Sequence, residues 1–113
     1  MERRLYLQSN QIDKAEAFVQ AALNANPRNA QAIVLMGSIA LAKHNPSGAE
    51  QNFKNAIKQQ PKDIVGYTAL ADYYGREKKY DAAIGVIRSG LQQQPQNFVV
   101  PKLIGVEVGL ISE

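Results

Sequence analysis

Apolar side chains recur along this chain at helical spacing and within a longer fixed period. Ala49, Phe53 and Ala56 stand at i, i+4 and i+7, which puts all three on one face of a helix. The same face is built one period earlier by Ala15, Val19 and Ala22, and one period later by Ala83, Ile87 and Gly90. Each stripe runs into a bulky aliphatic (Leu23, Ile57, Leu91), a polar turn and a proline, in AALNANPRN at 21–29, NAIKQQPKD at 55–63 and SGLQQQPQN at 89–97. Pro27, Pro61 and Pro95 are spaced by 34 residues and again by 34. Proline halts one helix there and permits the next to begin. The pattern predicts helices over about 13–25, 47–59 and 81–93. Asp13, Ser47 and Asp81 are their expected first residues, each able to accept from free N-terminal amides. Ser47 with Glu50 three residues on has the form of a capping box.

A second kind of helix precedes each of these. Its stripe is Ile33, Met36, Gly37 and Ala40 in one unit, and Tyr67, Leu70, Ala71 and Tyr74 in the next. In the C-terminal stretch the equivalent positions are Pro101, Ile104, Gly105 and Val108. Gly37, Ala71 and Gly105 fall one period apart. An interior glycine costs about 1 kcal/mol of helix propensity relative to alanine. Close approach of the paired helix is the reason to accept that cost. A period of this size predicts stacked helical units, each burying its apolar face against its neighbours.

The residues resemble the tetratricopeptide repeat family. Residues 64–97 match its pattern through Tyr67, Leu70, Tyr74, Tyr80, Ala83, Ile87 and Pro95, and residues 30–63 through Gly37, Ala49, Phe53, Ala56 and Pro61. The departures are Ile33 in place of tryptophan, Ala40 where tyrosine is usual, and Pro46 where Tyr80 stands one unit later. The resemblance implies an all-α fold, a right-handed α-solenoid of antiparallel helix pairs. The expected units are a truncated repeat at 1–29 with Tyr6 in the tyrosine position, repeats at 30–63 and 64–97, and the first helix of a further repeat at 98–113. The Ala/Gln/Asn-rich, cysteine-free units look like bacterial repeat proteins, including those attached to secretion or export machinery.

In this family the first helices line a concave groove. The resemblance therefore implies a partner-binding face at Arg4, Leu7 and Gln8; Val34, Ser38 and Leu41; Thr68, Asp72, Gly75 and Arg76; and Lys102, Val106 and Gly109. Val34, Leu41 and Val106 are expected to be left unburied by the repeat pattern. Gly75 and Gly109 are expected to leave shallow space in the groove. The asparagines of the clamp that grips acidic C-terminal tails in one branch of the family are missing. An extended peptide or amphipathic helix with a few apolar anchors is the expected ligand.

Composition narrows the alternatives. An apolar share of 45% in 113 residues argues for a folded chain with a modest core. The 13 basic and 10 acidic residues are interspersed, with no basic stripe or reader motif, so no nucleic-acid partner is expected. No apolar run approaches the roughly 20 residues of a membrane-spanning helix, and no direct membrane insertion is expected. The N-terminal stretch lacks a signal peptide's long apolar segment. Without cysteine there are no disulfides and no thiolate chemistry, and the compartment is left open between cytoplasm and periplasm.

Candidate chemistry is sparse. His44 is the single histidine, with no second ligand for a metal and no carboxylate to complete a triad with Ser47. The eight glycines are scattered singly, without a phosphate-binding loop. Tyr67, Tyr74 and Tyr80 occupy framework positions, and Tyr73 stands off that framework. No catalytic residue, cofactor or metal is expected. The expected role is a non-catalytic scaffold for a protein or peptide partner. The alternative is a structural spacer that self-associates through the apolar terminal helix, with Val99, Leu103, Ile104, Val106, Val108, Leu110 and Ile111.

Overall fold

The computed structural model describes residues 2–93, with side chains from position 11 onward. It contains five α-helices: α1 (Glu2–Ala25), α2 (Ala30–Ala42), α3 (Pro46–Gln59), α4 (Ile64–Arg76) and α5 (Tyr80–Gln93). No strand occurs among the described residues. Each helix packs on the next in chain order, and α2 also meets α4. Helices α3 and α5 do not meet; a cleft of about 360 Å³ floored by Tyr67 lies between Ile57 and Val86. The fold is therefore an all-α solenoid in which the hairpins α2–α3 and α4–α5 stack side by side. The side on which α2 meets α4 is the inner side of the stack, and α3 and α5 lie on the outer side.

The core follows the periodic stripes. Phe53, Ala49, Ala71, Ala83 and Ile87 are each no more than 3% exposed. A Cβ built on Gly37 would sit 2.5 Å from Cε1 of Phe53, so only glycine lets α2 lie this close to α3. Tyr73, off the framework in sequence, is buried: its ring lies 6.0 Å from that of Phe53 and 5.6 Å from that of Tyr74. A second cluster, Ala30, Ile33 and Ala56, is flanked by Leu23, Val34 and Val65. Where α3 meets α4, a Cβ on Gly66 would come within 2.9 Å of the Ile57 backbone nitrogen. The tyrosine hydroxyls are satisfied: Tyr67 donates to the Pro61 carbonyl and Tyr74 to Glu50 Oε2, both at 2.7 Å.

Turn chemistry departs from the sequence expectation at the helix starts. Asn45, not Ser47, caps α3, accepting from the Gly48 amide at 3.1 Å. Pro46 occupies the first turn, where a missing amide hydrogen is harmless. The expected capping box is absent, because Glu50 is engaged by Tyr74 and by Lys54. Asp81 lies inside the first turn of α5, which begins at Tyr80. Asp13 begins nothing: α1 runs unbroken from Glu2 to Ala25, so the amides there already serve the preceding turn. Within both complete hairpins the turn uses one left-handed residue, His44 and Lys78, each at φ 62°. The turns between hairpins are tied together, Arg28 Nη2 donating to the Gln59 carbonyl and Gln60 Nε2 to the Arg28 carbonyl, both at 3.0 Å.

Four outcomes follow from this packing. Phe53→Ala should destabilise the fold by about 3–5 kcal/mol in chemical denaturation, as for other buried aromatics. Gly66→Ala should lower the melting temperature despite its better helix propensity, because Ile57 backbone blocks the new methyl. Gly85→Ala, with nothing within 4 Å of the new Cβ, should raise stability by up to about 1 kcal/mol. The fourth concerns acid. The Tyr74 hydroxyl, and then Lys54, hold the Glu50 carboxyl below its ordinary value. That stability is complete above the unfolded glutamate pKa of about 4.3 and is lost as pH falls through the lower folded value. The stability gap between wild type and Tyr74→Phe, measured by denaturation across pH, should therefore be widest at neutral pH and narrow in acid.

Candidate functional site

The inner side carries two depressions that share one residue. The first lies along the α2–α4 seam. Ser38 and Leu41 of α2 form one wall, Ala69, Asp72 and Arg76 of α4 the other, and the floor is made by the Phe53 and Tyr73 rings. Its volume is about 210 Å³. Both walls arise from helical spacing: Ser38 and Leu41 stand at i, i+3, and Ala69, Asp72 and Arg76 at i, i+3 and i+7. Arg76 Nε reaches Asp72 Oδ2 at 3.1 Å, and the two side chains are 72% and 50% exposed. An ion pair so open to water holds its members weakly. Either group can turn to an incoming backbone or side chain without leaving a buried charge behind.

The second depression lies between α1 and α2 and is larger, about 590 Å³. Ile12, Ala15, Phe18 and Val19 line it from α1, and Leu35, Ser38, Ile39 and Ala42 from α2. Phe18 is 81% exposed and Leu35 46%, the two large apolar side chains most open to solvent among the described residues. Ser38 belongs to both depressions, so the two form one surface across α1, α2 and α4. At one edge Lys43 is paired with Glu16, which ties α2 to α1.

Of the residues expected to bind a partner, the structure brings together Ser38, Leu41, Asp72 and Arg76. Three others lie elsewhere. Val34 is half-buried and packs against both core clusters, because its position on α2 turns it toward α3 and α4. Thr68, one period on, is likewise half-buried and lines neither depression. Gly75 is buried, not a shallow opening: it follows Ala71 by one helical turn on the packed face of α4. Leu41 is on the inner wall but half-buried against the core, so it offers an edge and not a free anchor. Arg4, Leu7 and Gln8 lie in α1 outside the residues whose side chains are described, and Lys102, Val106 and Gly109 lie outside the described residues altogether.

The α1–α2 groove was missed by sequence reasoning. Its signal is present: Leu35, Ser38, Ile39 and Ala42 stand at i, i+3, i+4 and i+7, a second stripe on α2 displaced from the framework stripe. Chemistry of another kind is not evident. His44 is exposed in the hairpin turn. Among the described residues no three His, Cys, Asp or Glu side chains come together as metal ligands, and no helix is long and apolar enough to cross a membrane.

Comparison with known protein families matches residues 2–104 to the tetratricopeptide repeat protein 21 C-terminal ARM domain. A comparison with curated proteins finds no match.

Proposed function

The chain belongs to the tetratricopeptide repeat protein 21 C-terminal ARM domain family, a helical-repeat family related to the tetratricopeptide solenoids, and on that premise we propose that it is a non-catalytic scaffold holding a peptide or helix of a partner protein on its inner face. One observation carries this reading. The two depressions meet at Ser38 and join an apolar stretch, rimmed by Phe18 and Leu35, to a polar one bearing Asp72 and Arg76. A surface of that composition suits a ligand with one or two apolar anchors beside a polar backbone. Exposed apolar area gathered in one place is what separates it from an ordinary solvated helix face. Whether the partner belongs to bacterial export machinery, as the unit composition suggests, is a narrower form of the same proposal.

Selection of a random displayed-peptide library on the 113-residue chain tests it. Peptides recovered on the wild type should lose at least tenfold in affinity on Ser38→Arg, at the junction, and severalfold on Asp72→Arg. Binders that keep their affinity for both variants would place recognition elsewhere and remove this reading. The alternative, self-association through the apolar terminal stretch, is separated by measuring mass in solution by light scattering: a concentration-dependent dimer that survives Ser38→Arg would favour it.

A further inference from the structure

The open groove between α1 and α2 has a counterpart that is already covered elsewhere in the fold. Moving Val19, Leu35, Ser38, Ile39 and Ala42 forward by one period of 34 gives Phe53, Ala69, Asp72, Tyr73 and Arg76. All five of those residues line the α2–α4 trough. There a first-type helix lies across them: Gly37 of α2 rests on the Phe53 ring, and Ser38 and Leu41 face Asp72 and Arg76. At the α1–α2 groove the corresponding helix is not in place, and Phe18 and Leu35 remain open to water. The groove is thus a seat for a first-type helix, by direct correspondence with an interface present in the same molecule.

The period also names what fits it. Moving Ser38 and Leu41 back by 34 gives Arg4 and Leu7. Gly37 goes back to Arg3, and the Phe53 ring beneath it to the shorter Val19. The obstruction that demands glycine at position 37 is a ring carbon. Over Val19 there is no ring, and the aliphatic stem of an arginine can lie across the surface with its head in water. The turn is prepared as well. Both complete hairpins reverse through a left-handed residue, His44 and Lys78, which stand 34 apart. One period earlier stands Asn10, a residue type that enters the left-handed region more readily than histidine or lysine.

We propose that the occupant of the α1–α2 groove is this chain's own segment 2–9, turned back at Asn10, so that the straight α1 and a helical hairpin are two arrangements of one segment. In the hairpin, Arg4 and Leu7 join the inner face beside Ser38 and Leu41, and Phe18 and Leu35 are covered. A partner helix bound in the groove competes with the segment for the same seat. The inference rests on the internal period together with the open groove and the turn geometry, and stands whether or not the partner-binding reading does.

The cysteine-free sequence allows a direct test. Arg4→Cys with Ser38→Cys is treated with a short-arm bis-maleimide, and Ser38→Cys with Asp72→Cys, the equivalent pair one period on, serves as the positive control. Both should give a cross-linked monomer. Adding Asn10→Gly should raise the yield of the first pair and Asn10→Ala should lower it severalfold, with the control pair unmoved by either and helical circular dichroism unchanged. Phe18→Trp introduces a single tryptophan, whose quenching by acrylamide should fall in the Asn10→Gly background. Failure of the first pair to cross-link while the control reacts overturns the proposal. So does a product found only as a covalent dimer, which would make a second copy the occupant.

Discussion

The missing side chain at Gly37 sets the distance at which the inner and outer helices of a unit can meet. Because nothing projects there, the Phe53 ring slides under α2 and fills the space between the two helices. That ring then packs at a tilt of 53° on Tyr73, which holds α4 against the same cluster and brings α2 and α4 together along the inner seam. Hairpin, stack and trough all descend from this one close approach. It is also why the trough floor is aromatic: the floor is the outer limit of the core, reached through a gap between two inner helices.

Much of this architecture is written in the period. Thirty-four-residue recurrence of alanine, bulky residue and alanine locates α3 and α5 to within a residue of their starts, and the small residues at 37 and 71 mark the close faces correctly. What the period conceals is anything decided by hydrogen bonds between neighbours. Whether Asn45 or Ser47 receives the free amides of α3 depends on the conformation Pro46 imposes, and both residue types are competent caps. The fate of Tyr73 was likewise hidden, since a position one step off the framework becomes core only where a ring such as Phe53 lies opposite. The geometry of the inner side was legible in part. Counting between packing residues places Ser38, Leu41, Asp72 and Arg76 on it, and all four line the trough. Val34, Thr68 and Gly75 turn into the packing, because that counting assumes a narrower buried stripe than two flanking helices produce.

The surface that results is of mixed character for a simple reason. On α4 the inner stripe is Ala69, Asp72 and Arg76, whereas the equivalent stripe on α2 is Leu35, Ser38 and Ala42. One period therefore presents a charged inner face and the preceding one an apolar inner face. Positions such as Ser38, Asp72 and Arg76 can diverge between repeats that share a framework, because none of these three side chains is buried in the core. The buried set contains no polar or charged side chain among the described residues, so the polar groups on this face answer to solvent or ligand and not to the core.

The gap between α3 and α5 has a mechanical meaning. Along the outer side, successive units are separated by a cleft floored by Tyr67, while along the inner side they are in direct contact. Such a stack is joined unevenly: backbones approach along the inner seam, while on the outer side Ile57 and Val86 reach one another's units only through the shared core cluster beneath the cleft. The spacing of successive units is therefore set along the inner seam, where Ser38 and Leu41 face Asp72 and Arg76, and not along the outer helices.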